Sequence, residues 1–85
     1  MKNPDLNWDW YSNWKLWILS KATGANVHEI NGALGRFMNY GSLYAKSLNQ
    51  GDSEKTEYYK EMAEDNLKQL GESPDVLQHF IGRSG

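Results

Sequence analysis

Apolar side chains along the 85-residue chain recur every three or four positions. That spacing lines up one face of a helix, because successive residues turn by about 100°, whereas strand residues alternate. The first stretch follows Asn3-Pro4-Asp5, where Asn3 can cap, Pro4 suits the first helical position and Asp5 complements the dipole. It predicts a helix over about 4–22, ended by Ala22-Thr23-Gly24. Asn26 can cap a second helix, 27–49, whose stripe of Val27, Ile30, Leu34, Phe37, Met38, Gly41, Ala45 and Leu48 falls within about 80°. Gly32, Gly35 and Gly41 each weaken a helix interior by about 1 kcal/mol relative to Ala, so a break near Asn39-Tyr40-Gly41 is one reading. The favoured one is a continuous helix in which Gly41, lying on the apolar stripe, lets another helix approach closely.

Asn49-Gln50-Gly51-Asp52 closes that element, and Asp52 or Ser53 caps a third helix, 53–70, that stops before Gly71. Its apolar side is Tyr59, Met62, Ala63, Asn66 and Leu70; Asn66 in mid-stripe is expected to be a hydrogen-bonded core amide that fixes helix pairing. Ser73 as cap and Pro74 at the first position begin a short fourth helix, 74–81. The expected fold is therefore all-α: one domain over 1–85, a small helical bundle of three main helices and a short C-terminal one, without sheet.

Composition narrows the function. A chain of 9.8 kDa with 39% hydrophobic residues has too little mass for a second core. Zero Cys removes disulfides and thiolate chemistry and fits a reducing, cytoplasmic setting. No apolar run approaches a membrane span of about 18 residues, so no membrane contact is expected. His28 and His79 stand on different helices and in no metal-binding spacing; His28 is expected at the surface and His79 partly buried in packing. No strand precedes the glycines that might otherwise wrap a phosphate. No catalytic residue, metal ligand or cofactor site is expected, and the chain reads as a non-enzyme.

The unusual feature is aromatic: Trp8, Trp10, Tyr11, Trp14 and Trp17 crowd the first helix. On a wheel started at Leu6, Leu6, Trp10, Trp14 and Trp17 span about 80°, and Tyr11 and Ile18 widen this core sector to about 140°. Trp8, Leu16 and Leu19 fall outside it, on the opposite side of the wheel. A helix apolar on two sides, in a chain this short, either buries both or binds something. Trp8, Leu16 and Leu19, rimmed by Lys15, are thus a candidate face for a partner protein or a second copy of the chain.

Charge adds a second candidate. Residues 1–50 hold five Lys/Arg and three acids, whereas residues 51–85 hold four and eight, within a net charge of −2. Helix three carries most of the acidity. The Lys60/Glu64 and Glu64/Lys68 spacings favour a solvated, self-paired face, and Glu57, Glu61, Glu64 and Asp65 are the alternative, an acidic docking surface.

Two partial resemblances follow from local motifs. Leu19-Ser20-Lys21-Ala22-Thr23-Gly24-Ala25-Asn26-Val27 with Ile30 resembles a helix-turn-helix, which implies a recognition helix from Val27 with His28, Glu29, Asn31 and Arg36 toward DNA. The acidic chain, with pI near 5.6, supplies few of the cations that phosphate neutralisation needs. Residues 40–70, from Tyr40-Gly41-Ser42-Leu43-Tyr44 through Asn49-Gln50-Gly51-Asp52 to Tyr58-Tyr59 and Met62-Ala63, resemble one tetratricopeptide-type hairpin. Thr56 and Ser47 depart from that family's small and aromatic preferences, and no second copy follows. The resemblance implies an antiparallel helical pair. The expected function is a small non-catalytic protein-binding module of the kind found among phage-encoded inhibitors of host machinery, including anti-CRISPR proteins; the alternative is a helix-turn-helix DNA-binding regulator.

Overall fold

A computed structural model describes residues 5–24 and 26–82. Four helices follow in order, α1 (Trp8–Lys21), α2 (Asn26–Gln50), α3 (Ser53–Gln69) and α4 (Val76–Phe80). The fold is all-α. α2 is unbroken through Gly41, and at about 1.5 Å per residue its length accounts for most of the 43 Å long axis.

α2 and α3 form an antiparallel hairpin whose register is fixed by polar and aromatic pairs. Ser47 faces Thr56, with 3.0 Å between their hydroxyls, Tyr40 lies 6.3 Å from Tyr59, and Arg36 Nε donates to Asn66 Oδ1 at 2.9 Å. The departures from the tetratricopeptide pattern thus pair with each other: Ser47 Oγ donates to Tyr44 O, and the single hydroxyl hydrogen of Thr56 has two acceptors within reach, Ser47 Oγ and Asp52 O, so both hydroxyls are satisfied inside the hairpin. The turn is short because Gly51 takes φ +74°, which lets Asp52 N reach back to Ser47 O. Asp52 then caps α3, its side chain accepting from Lys55 N at 3.1 Å. Gly71, also at φ +74°, ends α3 by the same device, with Glu72 N donating to Leu67 O.

The expected helix start at Asn3-Pro4 lies outside the described residues, and Asp5 and Leu6 are not helical. They form a two-residue strand, β1 (Asp5–Leu6), paired antiparallel with β2 (Ile81–Gly82). Helical periodicity does not predict this ladder. Asn7 N extends it by donating to Phe80 O at 2.8 Å, so the segment before α1 closes on the segment after α4. Asn7, rather than Asn3, caps α1 through its side chain, which accepts from Trp10 N. α4 is likewise shorter than expected. Backbone bonds from Val76, Leu77 and Gln78 reach three residues back, so Ser73-Pro74-Asp75 is a tight 3₁₀-type lead-in rather than α-helix.

The core gathers where α1, α4 and β2 meet the middle of α2: Tyr11, Trp14, Ile18, Leu34, Phe37, Leu77, Phe80 and Ile81 are all buried. Val27 and Leu48, at the two ends of the α2 stripe, are exposed. Phe80 sits at the centre, its ring 5.2 Å from Tyr11, 5.5 Å from Phe37 and 5.3 Å from Trp8. Gly41 makes this possible, since a Cβ there would lie 2.8 Å from two ring atoms of Phe80.

Two outcomes follow from this packing. Gly41→Ala should destabilise by about 1–2 kcal/mol, because overpacking against a ring hemmed in by other rings outweighs the gain in helix propensity. Gly35→Ala, where a Cβ meets nothing within 4 Å, should stabilise by up to about 1 kcal/mol. Urea titrations of the two variants measure both, and equal effects of one sign would contradict the close approach. Burial raises the Tyr11 pKa, and its hydroxyl donates to Leu34 O at 3.0 Å. The unfolded chain ionises first, so this contribution to stability is full below about pH 10 and is lost as pH rises through the higher folded value. Melts across alkaline pH should show that loss blunted in Tyr11→Phe.

Candidate functional site

α1 packs on α2 and α4 through a narrow sector. Tyr11, Trp14 and Ile18 are its buried residues, and on the wheel they occupy only about 60°. Everything outside that strip is partly or largely uncovered. Three large apolar side chains of one 14-residue helix stand exposed: Trp8 at 48%, Leu16 at 66% and Trp17 at 51%.

One flank carries the residues expected at a contact surface. The Trp8 ring turns an edge to Phe80 and Tyr11 while about half of it remains outside. Leu19 is half-buried against the core, and Lys15 is half-buried beside it. Leu16 points away from the bundle. Trp8, Leu16 and Leu19 thus form a stepped apolar surface, with Ser12 exposed between Trp8 and Leu16. The acidic candidates lie elsewhere, on α3: Glu57, Glu61 and Asp65 are exposed and Glu64 is half-buried. Among the described residues no ion pair within 4 Å joins Lys60 or Lys68 to Glu64, so the expected self-pairing is not formed.

The other flank differs from expectation. Trp17, expected in the core sector, is instead exposed, with Lys21 Nζ 3.4 Å above its ring centroid. The reason is the strand: Leu6 marks one edge of the expected sector, yet it belongs to β1 rather than α1. Without it the sector contracts to Tyr11, Trp14 and Ile18 and leaves Trp17 at its margin. Trp10 is intermediate, stacked on Trp14 at 5.2 Å and on His79 at 5.8 Å. His79 is itself exposed, so it covers Trp10 from outside rather than packing within. His28 is exposed in the first turn of α2.

A second constellation is not visible in the sequence. Asn66 is buried as expected, but its partner is Arg36, which the helix-turn-helix resemblance turns toward DNA. Arg36 Nε donates to Asn66 Oδ1 and Nη2 to Gln69 Oε1 at 3.2 Å, while Asn66 Nδ2 donates to Met62 O. The only available signal is the polar Asn66 in an apolar stripe. Beside this cluster a cleft of about 690 Å³ runs along the first half of α2.

Among the described residues no group of three or more His, Cys, Asp or Glu could hold a metal ion, and no helix is long and apolar enough to cross a membrane. Comparison with protein-family models, with curated proteins and with solved structures returns no match for this chain.

The tryptophans should divide by position. Trp14→Ala should cost about 3–5 kcal/mol and come close to unfolding so small a domain. Trp14→Phe should cost far less, because the Trp14 indole N–H is buried without a hydrogen-bond partner and its removal relieves that penalty. Trp17→Ala should cost under about 1 kcal/mol. Thermal melts of the three variants check the order, and a Trp17→Ala as damaging as Trp14→Ala would contradict the exposed position.

Proposed function

We propose that the protein is a small non-catalytic binding module that docks another protein through the outer side of α1. The observation that carries this reading is the concentration of exposed Trp8, Leu16 and Trp17 on one helix whose buried strip is already satisfied by α2 and α4. Large aromatic side chains beside a Lys are the residue types that anchor protein interfaces. The acidic side of α3, with Glu57, Glu61, Glu64 and Asp65, is a second docking surface in the same reading. A phage-type inhibitor of host machinery, anti-CRISPR-like, is the kind of module that fits such size and charge, acting in the cytoplasm that a cysteine-free chain permits.

A DNA-binding role through the α1–α2 turn is the weaker reading. His28, Glu29 and Asn31 are exposed on α2, but Arg36 is engaged with Asn66 and Gln69, and Lys21 lies over Trp17. A typical specific binder needs roughly six to ten phosphate contacts.

Leu16→Glu tests the proposal, because Leu16 is the most exposed of these apolar residues and its replacement should leave the melting temperature unchanged. A protein retained from lysate by the parent chain, identified by mass spectrometry and then purified, should bind the variant about 30-fold more weakly, a loss of about 2 kcal/mol. Sedimentation of both chains distinguishes a second copy from a foreign partner. Equal binding by Leu16→Glu and Trp8→Ala would move the contact off α1. Sub-micromolar gel-shift binding that falls steeply with salt would instead favour the DNA reading.

A further inference from the structure

We propose that the cleft between the first half of α2 and the end of α3 is an oxyanion site, in which the free edge of the Arg36 guanidinium takes a carboxylate or a phosphate group. The argument begins with how Arg36 is held. Its Nε and Nη2 donate to Asn66 Oδ1 and Gln69 Oε1, which occupy the Nε-side edge of the planar group. Both acceptors are neutral amides, so the guanidinium keeps its whole charge, and among the described residues no carboxylate pairs with it. Asn66 is almost completely buried and is tied in turn to Met62 O, which fixes the angle at which it holds Arg36.

The other edge, Nη1 with the second hydrogen of Nη2, has parallel N–H groups spaced to match two oxygens of one oxyanion. Nη1 lies 3.3 Å from where a Cβ would stand on Gly32, so the side chain folds back along α2 over a residue with none of its own. Gly32 thereby floors the cleft of about 690 Å³, which Asn26, His28, Glu29 and Gln69 also line. Gln69 contributes further: its oxygen is committed to Arg36, which leaves its amide N–H groups as donors beside the guanidinium. His28 stands two helical turns before Arg36, about 12 Å along the helix, at the far end of the same row. Glu29 is the one carboxylate in the lining and weakens the site without filling it. A guanidinium pinned on one edge by neutral amides loses little side-chain freedom when its second edge is engaged, which is what makes an exposed Arg a site rather than a mobile charge.

The experiment titrates the intact chain with acetate and, separately, with inorganic phosphate, holding pH and ionic strength constant with chloride. The readouts are the Arg36 Nε–H and Gly32 amide resonances in ¹H–¹⁵N spectra. Saturable shifts with acetate alone identify a carboxylate ligand, with phosphate alone a phosphate ligand, and with both an unselective oxyanion site. Arg36→Lys, which keeps the charge but not the fork, should weaken binding about tenfold, the loss of one charge-assisted hydrogen bond. Glu29→Gln, at an exposed position, should tighten it about two- to fivefold. Shifts that rise without saturating, or binding that neither variant changes, would overturn the site whatever α1 binds.

Discussion

The contact between the Phe80 ring and the bare backbone of Gly41 sets the rest of the architecture. α4 is five residues long and could not persist alone, since helices this short are not stable in water without tertiary support. It persists because Phe80 enters the notch that Gly41 leaves on α2 and is there surrounded by Tyr11, Phe37 and Trp8. From that seat Phe80 O accepts from Asn7 N, and Ile81 pairs with Leu6, so the segment after α4 holds the segment before α1. α1 then starts where it does because Asn7 is fixed by the ladder and caps it. A methyl group at position 41 presses on each of these contacts in turn.

Two kinds of bonding divide the molecule. The α2–α3 hairpin is joined by small apolar residues, Ala33, Ala45 and Ala63, and by polar pairs that specify register, Arg36 with Asn66 and Ser47 with Thr56. Polar pairs of this kind contribute modestly to net stability but penalise any slipped pairing that would leave the buried Asn66 Oδ1 without its donor. α1, in contrast, is attached by rings. Aromatic packing is forgiving in angle and large in area, so a strip of Tyr11, Trp14 and Ile18 suffices to hold the helix, and the remaining rings face outward.

This division explains what could be read from the sequence. Helix number and the α2–α3 turn were legible because capping residues and turn glycines act locally: Asp52 and Gly51 do in the fold what their chemistry suggests. The close approach at Gly41 and the buried amide of Asn66 were legible because each is an anomaly within a periodic stripe. The strand at Asp5–Leu6 was not, because its pairing partner lies at the opposite end of the chain and so short a strand carries no period. Because Leu6 lies in this strand and not in α1, a wheel started at Leu6 places Trp17 in the core sector, whereas it is exposed. On the opposite side of the wheel, where the periodicity leaves core and interface equally open, Trp8 and Leu16 are exposed and Leu19 packs partly against the core. Arg36 was legible as a cation but not as a fixed one, because the amides that hold it come from another helix.

Charge placement gives these surfaces a common logic. In an acidic chain the simplest fate of a cation is a carboxylate partner, yet Lys21 lies over the Trp17 ring and Arg36 rests on two amides. Both arrangements orient a positive group without neutralising it. A few oriented cations beside exposed rings favour recognition of single acidic groups within an apolar contact, and they are too few for the extended phosphate tracking that nucleic acids require.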